Sequence, residues 1–161
     1  MSTVLDFEPI WSELLGQPEA VGQLRQAVAT KDDGFQHAWL LTGPPGSGRS
    51  NAAMAFAAAL LCEKAGCDEC KSCRMVQSGS HPDVSVLATE KVIISIEEIR
   101  QLVASSHFGG SVSKYQIMII EDADRMTERS SNVLLKALEE PPAGTIWLLC
   151  CLLYTSDAAD E

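Results

Sequence analysis

Apolar and polar positions alternate along the chain in a way that predicts short strands separated by amphipathic helices. PEAVGQLRQAVAT (18–30) sets Val21, Leu24, Ala27 and Val28 at three- and four-residue spacing, the signature of one helix face. Pro18 suits the first turn, where its missing N–H would have no partner. HAWLLTG (37–43) is a short apolar run ended by glycine and predicts a buried strand. RSNAAMAFAAALLCE, from Arg49, predicts an alanine-rich helix of high intrinsic propensity. DVSVLAT (83–89) alternates and predicts a second strand. SIEEIRQLVASSH (95–107) predicts a helix with Ile96, Ile99, Leu102 and Val103 on one face. Ser95 and Glu98 at its start have the spacing of a capping box.

YQIMII (115–120) predicts a third buried strand, and TERSSNVLLKALEEPP a helix from about Thr127, stopped by Pro141 and Pro142. TIWLLC (145–150) predicts a fourth strand. WSELLGQ (11–17) predicts a short helix or turn closed by Gly16. Strands alternating with helices imply an α/β fold with a parallel sheet covered on both faces. The 161 residues suffice for one domain with its own core, expected over 1–150.

The junction between the first strand and the alanine-rich helix carries GPPGSGRS (43–50). This differs from the phosphate-binding pattern G-x-x-x-x-G-K-[ST] by one residue, Arg49 for lysine. Such a loop points successive backbone N–H groups into one concavity at a helix N-terminus, and glycines permit that path. Gly43, Gly46, Ser47, Gly48, Arg49 and Ser50 are the expected nucleotide-binding residues, with the Ser50 hydroxyl available to magnesium. Arginine keeps the charge of lysine but carries a longer planar head, so ATP–Mg²⁺ binding is open and fast phosphoryl transfer is not expected. The other reading is a Gly/Pro turn without a ligand.

A nucleotide site of this kind needs an acid at the end of a neighbouring buried strand. IMIIED supplies Glu121 and Asp122. The usual order is aspartate for the metal and its water, then glutamate for the attacking water. Here the two are exchanged, so they form a degenerate Walker B pair or a solvated acidic turn.

Cys62, Cys67, Cys70 and Cys73 are spaced C-x4-C-x2-C-x2-C. Four thiolates this close can close around one tetrahedral zinc and leave no open position, so a structural zinc module inserted at about 62–73 is expected. An iron–sulfur cluster and free thiols are the alternatives. Disulfides would require an oxidising compartment, and the acidic N-terminus MSTVLDFEPIWSELLGQ lacks the basic and apolar regions of an export signal, so a cytoplasmic protein is expected. His37, His81 and His107 have no nucleophile or carboxylate at telling spacing and read as structural or exposed. Arg25 and Lys136 read as solvated helix positions.

Charge narrows the picture further. The formal net charge of −10 excludes non-specific attraction to nucleic acid through the chain's overall field. No apolar run approaches the roughly 18 residues of a membrane span. CLLYTSDAADE (151–161) breaks the preceding pattern and reads as the translation of a sequencing-library adapter, the alternative being a genuine polar C-terminal tail; without it the charge is −7. Native sequence is then expected to stop near Cys150.

A phosphate loop, a four-cysteine insertion, an acidic strand end and SSNVLLKALEEPP occur in that order. Together with LLGQ (14–17), HAWLLTGPPGSGRS and SHPDV, they resemble the subunits of the bacterial clamp loader over Leu14–Cys150. The resemblance implies an AAA+ module cut off before a helical lid and a collar domain. It implies partners: the gamma/tau and delta subunits of a five-subunit assembly, with the sliding clamp and primed DNA reached through the complex. Arg49, Glu121 and Asp122 fit a stator-like subunit with weak or absent ATPase activity, whose trans-acting arginine would lie just beyond Cys150. An active gamma/tau-type motor is the rival within the family. A stand-alone P-loop ATPase and a zinc-stabilised interaction domain are rivals from other classes.

Overall fold

The computed structural model describes residues 9–11, 18–31, 36–44, 46–107 and 113–152. Four parallel strands form one sheet: β1 (Ala38–Gly43), β2 (Val84–Leu87), β3 (Gln116–Ile120) and β4 (Thr145–Leu152), in the order β1-β4-β3-β2. Among the described residues five α-helices accompany them: α1 (Pro18–Ala29), α2 (Arg49–Leu61), α3 (Lys71–Ser78), α4 (Ile96–Ser106) and α5 (Glu128–Glu139). In register, Ile117 of β3 stands beside Ile146 of β4, and Ala38 of β1 beside Trp147.

The side-chain period of two explains why the central strands are continuously apolar. Ile117 and Ile119 face one core together with Ile146, Leu148, Phe56 and the alanines of α2. Met118 and Ile120 face a second core with Trp147, Ile99, Leu102 and Leu134. Every residue of β3 is buried, and its one polar residue, Gln116, donates from Nε2 to the Ser105 carbonyl at 3.0 Å. Helix α2 is apolar around most of its circumference because it lies between the sheet and α1 and α3. Alanine there lets the helix approach closely, while Phe56 meets the Trp39 ring edge-on at 5.2 Å.

The edge strand departs from expectation. Sequence alone predicts β1 as buried, but among the described residues it pairs only with β4, and Leu40 is 63% exposed. An apolar run records hydrophobicity and not which strand is last in the sheet. The helix ends agree better. Ser95 accepts from the Glu98 N–H at 3.2 Å, and Thr127 from the Ser130 N–H at 3.1 Å. Only half of the predicted capping box forms. The Glu98 carboxylate turns instead to the Thr89 hydroxyl at 3.3 Å and Lys91 at 3.5 Å.

Strand β4 continues through Cys151 and Leu152, which pair with Thr42 and Gly43, two residues past the expected strand end. The remainder of the segment read as an adapter translation, 153–161, lies outside the described residues, as does LLGQ.

Candidate functional site

Helix α2 carries a candidate site at each end. At its N-terminus β1 closes on Gly43, and the chain turns through Gly46 (φ +79°) into Gly48 (φ +89°), the N-cap. Both angles lie in the left-handed region that glycine adopts without penalty. Gly43 is needed for another reason: a Cβ there would stand 2.5 Å from the Ser47 Oγ. Arg49 and Ser50 are the first two residues of α2, where helix N–H groups lack intrahelical acceptors. Gly46, Gly48, Arg49, Ser50 and Asn51 line a cavity of about 260 Å³. Inside the loop the Ser47 Oγ and one Arg49 guanidinium nitrogen are buried with no hydrogen-bond partner. An orphaned cationic donor at a helix N-terminus fits an anionic ligand, because burying it unpaired is costly.

The acidic pair lies at the same edge of the sheet, one strand removed. Cys150 of β4 bridges the two halves. Its sulfur is 3.7 Å from the Arg49 carbonyl oxygen. Burial pushes the Cys150 thiol up to about 12, Glu121 and Asp122 push the same way, and Arg49 opposes. Glu121, Asp122 and Arg49 thus share one electrostatic neighbourhood around the Cys150 thiol. Asp122 is a non-glycine residue at φ +54°, and its carboxylate pairs with Arg125 at 3.7 Å. Glu121 forms no ion pair among the described residues, and its N–H donates to the Leu87 carbonyl at 2.9 Å.

At the C-terminal end of α2 the four predicted cysteines converge. Cys62 caps α2, Cys70 caps α3, Cys73 sits in the first turn of α3, and Cys67 lies in the loop between. Their sulfurs all lie within 4.8 Å of one another, with Cys62 3.7 Å from both Cys67 and Cys70. Four sulfurs each about 2.3 Å from one zinc would stand about 3.8 Å apart, so the arrangement fits a tetrahedral metal. It is also far too open for a disulfide.

The loop wraps through left-handed Ala65 (φ +59°), Gly66 (φ +113°) and Asp68 (φ +64°), which turns backbone N–H groups onto the sulfurs. Lys64 and Cys67 donate to Cys62 at 3.3 and 3.4 Å, Cys70 to Cys67 at 3.2 Å, and Cys73 to Cys70 at 3.4 Å. Burial alone would raise the Cys62 thiol. The N–H donors of Cys67, Gly66 and Lys64 outweigh it and bring Cys62 down to about 6. Burial dominates at Cys73 and raises it.

Sequence reading missed α3 because its eight residues, KSCRMVQS, were absorbed into the cysteine spacing. The available signal was Gly79 in the left-handed C-cap position (φ +79°) after an amphipathic turn. The histidines stand apart from both sites. His37 is exposed and bonds the Leu138 carbonyl at 2.9 Å, and His107 caps α4. His81 is buried and accepts the Asp83 N–H at Nδ1, 3.0 Å away. Lys136 is exposed on α5, whereas Arg25 is half-buried.

A strand–glycine loop–helix junction facing an acidic strand end in a parallel sheet defines a P-loop domain of AAA+ type. The chain belongs to the family described as DNA polymerase III, delta subunit, whose model matches residues 16–155. It is 37% identical over 148 residues to DNA polymerase III subunit delta' of Pseudomonas aeruginosa, covering 88% of this chain and 40% of that protein. It is 34% identical over 143 residues to DNA polymerase III subunit tau of Bacillus subtilis, covering 86% of this chain and 25% of that protein. The chain therefore spans less than half the length of these relatives.

Two solved structures share the fold. A DNA polymerase III gamma subunit-related protein from Thermotoga maritima superposes with a TM-score of 0.59 at 17% identity, over 85% of this chain and 47% of that one. A single-residue variant of Thermotoga maritima RuvB superposes with a TM-score of 0.53 at 17% identity, over 85% and 39%. No helix among the described residues is long and apolar enough to cross a membrane.

Proposed function

We propose that this chain is the P-loop domain of a delta-prime-type, stator-like subunit of a bacterial clamp loader, working in the cytoplasm. In that role it helps place a sliding clamp on primed DNA alongside gamma/tau and delta partners. The observation that carries the stator reading is the state of the acidic strand end. Asp122 stands where a water-orienting glutamate is wanted. It is one methylene short, held in a left-handed backbone conformation and paired to Arg125. A carboxylate committed to a guanidinium is a poor orienter of water.

The loop retains what phosphate binding needs. Backbone N–H groups at the start of α2 and the orphaned Arg49 donor would hold the phosphates of ATP, with Ser50 offered to magnesium. Magnesium, when bound, would supply charge neutralisation at the phosphates. Arg49, planar and longer than lysine, grips the anion without the compact point charge that follows a moving phosphoryl group. The four cysteines would hold one structural zinc and fasten α3 to the end of α2.

Calorimetric titration with ATP–Mg²⁺ and a turnover assay test this reading. The expected outcome is weak binding and turnover below about 0.1 per second, against roughly 1–1000 per second for ordinary enzymes. Sustained hydrolysis in the ordinary range, lost in Arg49→Ala, would favour a gamma/tau-type motor instead. The similarity to the tau relative keeps that second reading in play.

A further inference from the structure

A cavity of about 670 Å³ opens beside the cysteine cluster, at the opposite end of α2 from the phosphate loop. Four of the chain's six lysines line it: Lys31, Lys64, Lys71 and Lys114. They come from four places in the fold: the turn after α1, the loop after α2, the first residue of α3 and the segment before β3. Glu63 and Glu69 are the carboxylates of the wall, so its ammonium groups outnumber its carboxylates four to two in a chain of net charge −10.

Two of the ammonium groups are held in place. Lys31 donates to the Leu60 carbonyl at 3.1 Å and lies 5.7 Å from the Tyr115 ring centroid; Lys114 lies 5.2 Å from the same centroid. Lys64 and Lys71 are exposed and form no ion pair among the described residues. The sulfurs nearby receive backbone N–H donors and no lysine ammonium among the described residues. The lysine heads are therefore not committed to the thiolates.

We propose that this cavity binds a small, multiply phosphorylated anion. All four cations are lysines, compact point charges suited to phosphate oxygens, whereas carboxylate recognition favours the planar fork of arginine. The volume lies in the range of small-molecule sites. Tyr115 already has two ammonium groups against its ring and offers no free platform for stacking the bases of single-stranded nucleic acid. Leu60, Leu61 and the Tyr115 ring give the ligand an apolar wall as well.

The test uses inorganic triphosphate, titrated calorimetrically into the metal-loaded protein carrying Arg49→Ala, which removes the side-chain cation of the phosphate loop. One remaining site is expected. Lys64→Gln with Lys71→Gln, both at exposed positions where folding is not at stake, should weaken it about tenfold or more. Lys31→Gln with Lys114→Gln should weaken it further, with metal content unchanged. Absence of a remaining site, or a site indifferent to both lysine pairs, overturns the proposal. So does loss of metal in the Lys64/Lys71 variant with triphosphate binding intact, since the lysines would then serve the thiolates. A short single-stranded oligonucleotide that displaces triphosphate and binds more tightly, in a lysine-dependent way, also overturns it in favour of nucleic acid.

Discussion

The two ends of α2 were built by different rules. At the C-terminal end, four cysteine sulfurs fall within twelve consecutive residues and meet through local turns. At the N-terminal end, the loop is local but its acidic partners arrive from β3, some seventy residues later, and only the strand order brings them near. The ends are about 20 Å apart along a 13-residue helix. A site closed within one segment depends on its own residues. A site shared between strand ends depends on the whole sheet, and side-chain drift at any one strand degrades chemistry without disturbing the fold.

The largest effect expected from this contrast is at the cysteine end. Cys73 is fully buried in the first turn of α3. Cys73→Ser removes one of four ligands and leaves a buried hydroxyl among thiolates. Structural zinc contributes on the order of 10 kcal/mol in small metal modules, so the metal proposed for this cluster should be nearly lost. α3 should lose its protection from hydrogen exchange. Arg49→Ala should leave metal content unchanged. Metal analysis and exchange measured on both variants decide the matter: retained zinc in Cys73→Ser, or zinc lost in Arg49→Ala, breaks the separation of the two ends.

A smaller effect is expected from restoring the other end. The combined Arg49→Lys, Glu121→Asp and Asp122→Glu variant supplies the usual residue types at all three positions. It should tighten ATP–Mg²⁺ binding by about tenfold, the scale of one charge-assisted hydrogen bond gained. Turnover should rise above the unmodified protein, while Arg49→Lys alone should raise binding with little turnover. If the triple variant binds no better, the limit lies in the sheet edge and not in these three side chains.

The same contrast explains what could be read before the fold was known. The convergence of the four cysteines was legible by residue type and spacing, because they form one contiguous motif, and so was the placing of the glycine loop between strand and helix. Both-face burial of β3 and β4 was legible from unbroken apolar runs. The exposure of β1 was not, since Leu40 has the same hydrophobicity whether its strand is central or last. Helix α3 was hidden because Cys73 and the N-cap Cys70 dominated the reading of that segment. The lysine-lined cavity was invisible in principle: Lys31, Lys64, Lys71 and Lys114 have no common spacing, and only tertiary folding collects them.

The smallest effect concerns the seam that joins the cysteine end to the sheet. After α3 the chain passes through His81 and Asp83 into β2. Asp83 accepts from the Ser113 N–H at 2.8 Å and its hydroxyl at 2.9 Å, and the Asp83 carbonyl accepts the Ile117 N–H at 2.8 Å. His81 Nδ1 accepts the Asp83 N–H, so the buried ring is neutral with its proton on Nε2. Burial lowers the His81 pKa, and the Asp83 carboxylate opposes this only in part. With the folded value below the unfolded one of about 6.5, the neutral ring's contribution is complete above that pH and is lost as pH falls through the folded value. Denaturant midpoints taken between pH 7.5 and about pH 5 should therefore decline, and decline less steeply in His81→Gln. Metal content measured at each pH separates this from protonation of the thiols. Equal slopes in the two proteins at constant metal content would place the acid-sensitive joint elsewhere. The two ends of α2 would then be coupled to the sheet through packing alone.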